Sequence, residues 1–98
     1  MKITSWNVNG IRAALNKGFF DWLYIDNSDI ICLQETKISD NQLSEELKKP
    51  KGYTTIWNCS KRKGYSGTAT LLKENPLHYN INFENPIFFH YIPPSFYS

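Results

Sequence analysis

Two polar side chains follow strand-like segments and could together hold a hard metal ion. Asn7 closes the alternating segment at the start of the chain, and Glu35 comes two residues after Leu33, where a continuous apolar run ends. Carboxylate and amide oxygens are donors that Mg²⁺ accepts, often with only one or two protein carboxylates per ion. A glutamate after a strand is also commonly just solvated, and Asn7 before Asn9–Gly10 also suits an ordinary turn. From residue types alone, both interpretations stay open.

A basic segment, Lys61–Lys63, is followed by Gly64 and Tyr65 and could track a phosphate backbone. The basic side chains would then contact phosphates while the tyrosine ring packs on a sugar or base. Arg12 and Lys17 add positive charge near the end of the first predicted strand. A charge run is more often a solvated loop, so this pattern favours nucleic acid only in combination with other signals.

The histidines and cysteines carry weaker chemical signals. An imidazole can change its protonation state near neutral pH, which makes His78 and His90 candidates for a general base. Neither belongs to a motif with a paired carboxylate, and His90 lies among aromatic residues, where a partly buried ring is the commoner role. Cys32 and Cys59 lack zinc-type spacing, so we expect two idle thiols in a reducing compartment.

The elements that must position these side chains begin with a strand, a helical region and a second strand. Lys2–Val8 alternates in polarity, and the helical region from Ile11 is interrupted at Gly18, which predicts two short helices or one broken helix. Ile30–Leu33 is a continuous apolar run, typical of a strand covered on both faces. A crossover of this length favours a parallel pair, which would bring the two polar side chains together at one end of a sheet.

Further along, the pattern predicts a short helix and two more strands. Ser39–Gln42 has the form of a capping box before a helix over Leu43–Leu47. Tyr53–Trp57 and Thr68–Leu72 are rich in β-branched and apolar residues and are predicted to be strands. After Pro76 the aromatic, asparagine and proline residues show no clear period, so no structure is assigned there.

The composition indicates more about the cellular location of the protein than about its function. The chain has 98 residues, 41% of them hydrophobic, and a formal net charge of +2. That charge is too small to indicate a nucleic-acid partner by itself. The N-terminus has no apolar signal region, and no run approaches the roughly 18 apolar residues of a membrane span. We expect an intracellular protein with no membrane partner, cytoplasmic in a bacterium and nuclear or organellar in a eukaryote.

Three segments together resemble the exonuclease III and AP endonuclease family. They are Ser5–Ala13, Asp29–Lys37 and Lys63–Ala69, and the last contains the Lys-Gly-Tyr-Ser-Gly signature that favours the DNA-repair branch over related phosphatases. Their order and spacing carry the resemblance across residues 1–76. The resemblance implies an α/β fold, the N-terminal part of a four-layered α/β sandwich of the endonuclease/exonuclease/phosphatase type, here truncated. It also implies DNA cleavage 5′ to abasic sites, with possible 3′–5′ exonuclease activity, using Mg²⁺ or Mn²⁺.

The resemblance also implies roles for individual residues. Glu35 is similar to the metal-binding glutamate of the family and Asn7 to the asparagine beside it, both in the catalytic centre. Asn9 stands where relatives place an asparagine or aspartate that supports them. Together with the basic segment, the resemblance predicts DNA contacts at Arg12, Ala13, Lys17, Lys61, Lys63, Gly64 and Tyr65. The implied partner is double-stranded DNA with abasic sites or 3′ ends, bound by a monomeric enzyme.

The other motifs of this family are not found in the 98 residues. They comprise a tyrosine, a Gly-Asp-x-Asn segment that orients water and a C-terminal Ser-Asp-His. Residues 1–76 are therefore predicted to form the N-terminal part of a nuclease domain, and residues 77–98 a divergent tail. We expect a truncated DNA-repair nuclease, and the alternative is an inactive fragment that at most binds DNA non-specifically.

Overall fold

Within the residues that the structure describes, the chain forms five strands, and the segments between them form three short α-helices. The structure is a computed structural model and describes residues 1–61, 66–74 and 87–93. In chain order the elements are β1 (Lys2–Asn7), α1 (Ile11–Asn16), α2 (Phe19–Asp26), β2 (Ile30–Gln34), α3 (Glu45–Lys48), β3 (Tyr53–Asn58), β4 (Thr68–Lys73) and β5 (Phe88–Ile92). No helix in these ranges has the length and apolar character needed to cross a membrane.

The described strands form one sheet in the order β3-β4-β2-β1-β5. β1 and β2 are parallel, with Ile3 opposite Ile30 and Asn7 opposite Gln34, which confirms the parallel pair expected from the crossover between them. β4 runs antiparallel to both β2 and β3. The carboxyl ends of β1 and β2 therefore lie side by side, and we refer to this place as the β1–β2 carboxyl end.

Hydrophobic packing is concentrated on one face of the sheet. Alternate side chains of the strands are buried there together with apolar side chains from the three described helices. An aromatic cluster joins β1 to α2: the rings of Trp6 and Trp22 meet edge to face with centroids 4.6 Å apart, and Trp6 stacks on Phe19 at 5.9 Å. Such a pair contributes about 0.5–1.5 kcal/mol beyond the burial of its area. The cluster anchors α2 to the strand that ends at Asn7.

The expectation that β2 is covered on both faces is wrong for the described residues. Ile31 and Leu33 are buried, whereas Ile30 and Cys32, on the opposite face, are only partly buried. The reason is that the described helices contribute their buried side chains to the first face. Across the second face, four apolar side chains lie in register, those of Phe89, Ile3, Ile30 and Leu72.

The helical region consists of two helices, one of the two arrangements that the sequence allows. Gly18 separates them with a φ of 95°, a left-handed conformation that glycine adopts without steric penalty. Its carbonyl accepts a hydrogen bond from the Trp22 amide at 3.0 Å, so the same residue begins α2. Asn27 ends α2 in the left-handed region, as asparagine often does at a helix C-terminus.

The predicted helix after Ser39 begins later than expected. Ser39 and Gln42 do cap each other, but their capping box encloses a 3₁₀ turn over Asp40–Gln42. α3 starts only after Ser44, whose side chain accepts a hydrogen bond from the Leu47 amide at 3.1 Å. Either serine can cap a turn, and the pattern of residue types could not decide which of them starts the α-helix.

β5 lies after Pro76, in the part of the sequence that shows no clear period and predicts no structure. It pairs in parallel with β1, with Thr4 opposite His90 and Trp6 opposite Ile92. Of its five residues only Ile92 is buried, so β5 lacks the alternation that marks a half-buried strand. His90 is exposed, and the expectation of a partly buried ring is therefore wrong, because the strand lies at the edge of the described sheet. The domain boundary at residue 76 stays a prediction.

A buried polar network ties the start of β1 to the turn after α2. The Asp26 carboxylate accepts hydrogen bonds from Lys2 Nζ at 2.8 Å, from Thr4 Oγ1 at 3.3 Å and from Ser28 Oγ. Thr4 and Ser28 are fully buried. Burial by itself raises the pKa of Asp26, but hydrogen bonds from Lys2 and Ser28 outweigh it, and the pKa lies below its usual value. The folded state therefore favours the ionised carboxylate.

Replacing Asp26 with asparagine should lower the free energy of unfolding by about 2 kcal/mol at neutral pH, because an ion pair and two buried hydroxyls lose their charged acceptor. The carboxylate stabilises the fold above pH 3.8, its unfolded-state pKa, and this contribution is lost as the pH falls through the lower folded-state pKa. Urea unfolding should thus show a constant difference between parent and variant from about pH 7 to about pH 5, and a difference that shrinks as the pH falls below 3.8. Asp21→Asn, an exposed change on α2, is the control; an equal loss there would contradict the assignment.

Candidate functional site

Parallel pairing brings the two predicted metal-site residues together. β1 ends at Asn7 and β2 at Gln34, so Glu35 is the first residue beyond β2. The Asn7 amide nitrogen donates a hydrogen bond to Glu35 Oε2. The Asn7 amide oxygen accepts a hydrogen bond from the Asn9 backbone amide at 3.1 Å. The expected proximity of Asn7 and Glu35 is confirmed, and their roles in metal binding and catalysis stay predictions.

The backbone around this pair is left-handed at several non-glycine residues. Asn9, Glu35, Lys37 and Ser66 have φ values of 48°, 52°, 53° and 53°. Residues in such conformations cost roughly 1–3 kcal/mol each, persist only where their surroundings enforce them, and cluster at functional sites. Here hydrogen bonds enforce them: the Gly10 amide donates to the Glu35 carbonyl at 2.8 Å, and the Lys37 amide to the Ser66 carbonyl at 2.7 Å. A strained but well-anchored backbone therefore presents the Glu35 carboxylate.

Helix α1 starts directly at this site. The Ile11 amide donates a hydrogen bond to the Thr36 carbonyl at 2.9 Å, which ties the first turn of α1 to the segment after β2. Arg12 and Ala13 lie in that turn and are exposed. Lys17, at the end of α1, is also exposed. The structure thus brings two predicted DNA-contact positions beside the site and leaves the third at the far end of the helix.

The start of β4 reaches the same site from the other side. The Thr36 amide donates to the Gly67 carbonyl at 3.1 Å. Thr36 is fully buried, and its hydroxyl oxygen has no hydrogen-bond partner among the described residues. A Cβ atom added to Gly67 would lie 2.6 Å from Thr36 Oγ1. The segment that follows Glu35 therefore packs against backbone that tolerates no side chain.

The predicted basic segment is only partly described. Lys61 is exposed, close in sequence to the end of β3. The predicted contacts Lys63, Gly64 and Tyr65 lie outside the described residues. A depression of about 180 Å³ lies where β3 ends and β4 begins. It is lined by Asn58, Cys59, Ser60, Ser66, Gly67 and Thr68. Ser60 and Ser66, which flank the basic segment in the sequence, both line this depression.

Lys37 completes the site, although residue types and spacing had not marked it as a candidate. Its Nζ atom donates a hydrogen bond to Asn9 Oδ1 at 2.5 Å and lies 3.9 Å from Glu35 Oε1. Asn9, predicted to support the site, therefore contacts both Asn7 and Lys37. A signal was present in the sequence: Lys37 ends the segment Asp29–Lys37 that carries the family resemblance, two residues after Glu35.

The available oxygen donors suit a hard divalent cation. The Glu35 side chain is 46% exposed, so a hydrated ion can reach it. Mg²⁺ keeps several waters and needs only one or two protein carboxylates, whereas zinc sites use three or four protein ligands. Residues 1–61, 66–74 and 87–93 contain no group of three or more His, Cys, Asp or Glu side chains that could hold a metal ion. One accessible carboxylate supported by an amide therefore fits Mg²⁺ or Mn²⁺.

The remaining chemical candidates lie apart from this arrangement. His78 is outside the described residues, and His90 is exposed on β5. Cys32 and Cys59 are free and partly buried. Burial, reinforced by a hydrogen bond with Asp40, raises the pKa of the Cys59 thiol to about 11. That thiol stays protonated at neutral pH and is a poor nucleophile, as expected for an idle cysteine.

Known proteins are similar to this chain both in sequence and in fold. The profile of the Endonuclease/Exonuclease/phosphatase family matches residues 4–95. The exodeoxyribonuclease of Bacillus subtilis (strain 168) is 50% identical over 78 residues, which are 79% of this chain and 30% of the relative. The DNA-(apurinic or apyrimidinic site) endonuclease of Dictyostelium discoideum is 42% identical over 76 residues, 78% of this chain and 21% of the relative.

A solved structure is also similar to this chain in its fold. The crystal structure of the Xenopus laevis APE2 catalytic domain matches with a TM-score of 0.64 at 46% identity, covering 72% of this chain and 23% of that one. The predicted α/β fold is confirmed, and the described sheet and helices correspond to a part of that larger fold. The chain spans less than a third of the length of each of these relatives.

Proposed function

Because this chain belongs to the endonuclease/exonuclease/phosphatase family, we propose that it carries the cation-holding part of a DNA-repair nuclease active site. The observation that carries the proposal is the hydrogen bond between Asn7 and Glu35 at the β1–β2 carboxyl end. The names of its relatives, an exodeoxyribonuclease and a DNA-(apurinic or apyrimidinic site) endonuclease, support DNA as the substrate class. The proposed reaction is hydrolysis of a phosphodiester bond 5′ to an abasic site, with 3′–5′ exonuclease activity as a second outcome.

The chemistry assigns distinct tasks to the described side chains. Phosphodiester hydrolysis builds negative charge on the nonbridging and leaving oxygens of the phosphate, and Mg²⁺ or Mn²⁺ would offset that charge. Glu35 would hold the ion through its accessible carboxylate. Asn7 would orient that carboxylate through Oε2, and the Asn9 amide would hold Asn7 in turn. Such supporting hydrogen bonds keep a metal ligand oriented before the ion arrives.

Affinity for the DNA backbone would come from positive side chains around the site. Arg12 is exposed on the first turn of α1, Lys17 at its end, and Lys61 after β3. Contacts between such side chains and phosphates give affinity without sequence preference, which suits a target defined by a missing base. The proposed partner is therefore double-stranded DNA with abasic sites or 3′ ends, bound by a monomer.

A second candidate function is non-catalytic, non-specific binding of DNA. It is favoured by the sparse ligand set, since the described residues contain no group of three potential metal ligands. Hydrolysis also requires an oriented water, and catalytic groups that act as a unit lose most of their effect when one is removed. Under this alternative, DNA binding would be independent of Mn²⁺ and of Glu35.

A Mn²⁺ titration followed by paramagnetic broadening of amide resonances tests the cation site. In the parent chain, the resonances of Asn7, Asn9 and Glu35 should broaden first, because these residues surround the proposed ion. Glu35→Gln removes the charged ligand and should weaken the apparent Mn²⁺ affinity at least about tenfold.

Glu46→Gln is the matched control, since it removes an exposed carboxylate from the first turn of α3. This variant should broaden like the parent. Equal broadening in the Glu35→Gln variant and the parent would refute the assignment of Glu35 as the cation ligand.

A further inference from the structure

We propose that Lys37 is the resident counter-cation of Glu35, which a divalent ion must displace and which then becomes available to a phosphate of the DNA backbone. The inference rests on the proposed function of Glu35 and adds a residue to it. Toward the ion, Lys37 is a positioning residue, because it acts through the Glu35 carboxylate and the charge around it; toward the DNA, it is a phosphate contact.

Both oxygens of the Glu35 carboxylate have a neighbour in this structure. Oε2 accepts a hydrogen bond from the Asn7 amide, and Oε1 lies 3.9 Å from Lys37 Nζ. The Lys37 ammonium is held in that position by Asn9 Oδ1 at 2.5 Å. A cation that binds Oε1 must therefore enter beside an ammonium that is already near this oxygen.

The backbone of Lys37 is anchored, so that only its side chain can move away. Its amide donates to the Ser66 carbonyl at 2.7 Å, and its neighbours Thr36 and Ile38 are both buried. The side chain itself is 38% exposed, which leaves room for the ammonium to swing toward solvent or toward a bound anion. Lysine suits such a role, since its point charge sits on a flexible stem.

The positive charge of Lys37 determines whether it weakens or strengthens the binding of each ligand. Asn9 is neutral, so its amide oxygen orients the Lys37 ammonium without cancelling the positive charge. Like charges a few ångström apart repel, and the repulsion between an ammonium and a divalent ion at about 5 Å corresponds to about a tenfold change in affinity even in water. Lys37 should therefore weaken cation binding to the free protein and strengthen binding of an anionic phosphate.

The test compares Lys37→Met with Lys48→Met. The control removes the same charge from an exposed ion pair on α3, in which Lys48 Nζ lies 3.5 Å from Glu45 Oε1. In Mn²⁺ titrations at low ionic strength, monitored by broadening of the Glu35 amide, the Lys37→Met variant should bind Mn²⁺ about fivefold to tenfold more tightly than the parent. The Lys48→Met variant should match the parent, and added salt should shrink the difference.

Binding of the same proteins to a duplex in saturating Mn²⁺, which displaces Lys37 from Glu35, should change in the opposite direction. The Lys37→Met variant should bind more weakly, and the slope of log affinity against log salt should fall in magnitude by about 0.9, as expected for one lost phosphate contact. A lysine with a merely structural role would not tighten one ligand while weakening the other. Lys37→Arg keeps the charge and should behave like the parent in both titrations, and Lys37→Gln replaces the methionine variant if that one fails to fold.

The Mn²⁺ titrations distinguish a wrong role for Lys37 from a wrong cation site at Glu35. If Glu35→Gln weakens Mn²⁺ binding but neither neutral variant of Lys37 tightens it, Lys37 is not a counter-cation and the inference is overturned. If Glu35→Gln has no effect on Mn²⁺ binding, the proposed cation site is itself wrong, and the inference falls with it.

Discussion

Metal-dependent incision by a hybrid nuclease should fall about 1,000-fold when Glu35 is changed to glutamine. The hybrid joins residues 1–76 of this chain to the remaining part of the Bacillus subtilis exodeoxyribonuclease, to which the chain is 50% identical over 78 residues. A cation held at the reacting phosphate supplies several kcal/mol of transition-state stabilisation, and about 4 kcal/mol corresponds to this loss of rate. Glutamine keeps the shape of the side chain but removes the charge that binds the ion.

The assay follows cleavage of a labelled duplex with a tetrahydrofuran abasic analogue under saturating Mg²⁺. The Glu46→Gln hybrid should incise as fast as the parent hybrid, because that carboxylate lies on the exposed first turn of α3. The 98-residue chain alone should not incise at a rate useful for repair. An unchanged rate in the Glu35→Gln hybrid would remove Glu35 from the mechanism, and a folded but inactive parent hybrid would contradict the nuclease proposal.

Gly67→Ala should lower the free energy of unfolding by about 3 kcal/mol, a large part of the stability of a small domain. Two effects add. Gly67 has a φ of 99°, where any Cβ is disfavoured, and its added methyl carbon would lie 2.6 Å from Thr36 Oγ1 and 3.6 Å from the Asn58 carbonyl oxygen. Thr36 is fully buried and cannot move aside easily. Because the Thr36 amide also bonds the Gly67 carbonyl, the strain acts on the segment after Glu35.

Two companion variants separate these effects. Gly52 has a φ of 84° and nothing within 4 Å of an added Cβ, so Gly52→Ala should report the backbone term alone, about 1 kcal/mol. Adding Thr36→Ala to Gly67→Ala removes the close contact and should recover the part of the loss that exceeds the Gly52→Ala value. Urea unfolding measures all of the variants. Equal losses for Gly67→Ala and Gly52→Ala would show that the contact with Thr36 does not limit stability.

Local sequence determined the first four strands and the neighbourhood of the candidate site. The alternation in Lys2–Val8 reports burial on one face, and the observed β1 ends within one residue of that prediction. A connection long enough to hold a helix favours a parallel pair, so the proximity of Asn7 and Glu35 could be expected from the order of the elements. The strands depend on residues near each other in the chain, and the pairing of β1 with β2 depends on the order and spacing of the elements, which is why the sequence could predict both.

Only the tertiary structure decided which faces are covered, where β5 pairs and how the site is completed. β5 is specified by its partner β1, since four of its five side chains are exposed and carry no period. The left-handed backbone at Lys37 depends on a hydrogen bond to Ser66, and the ammonium reaches Asn9 across a gap of 28 residues in the chain. Such long-range contacts leave no periodicity in the sequence, because each joins segments whose separation is set by the fold and not by the local residue pattern.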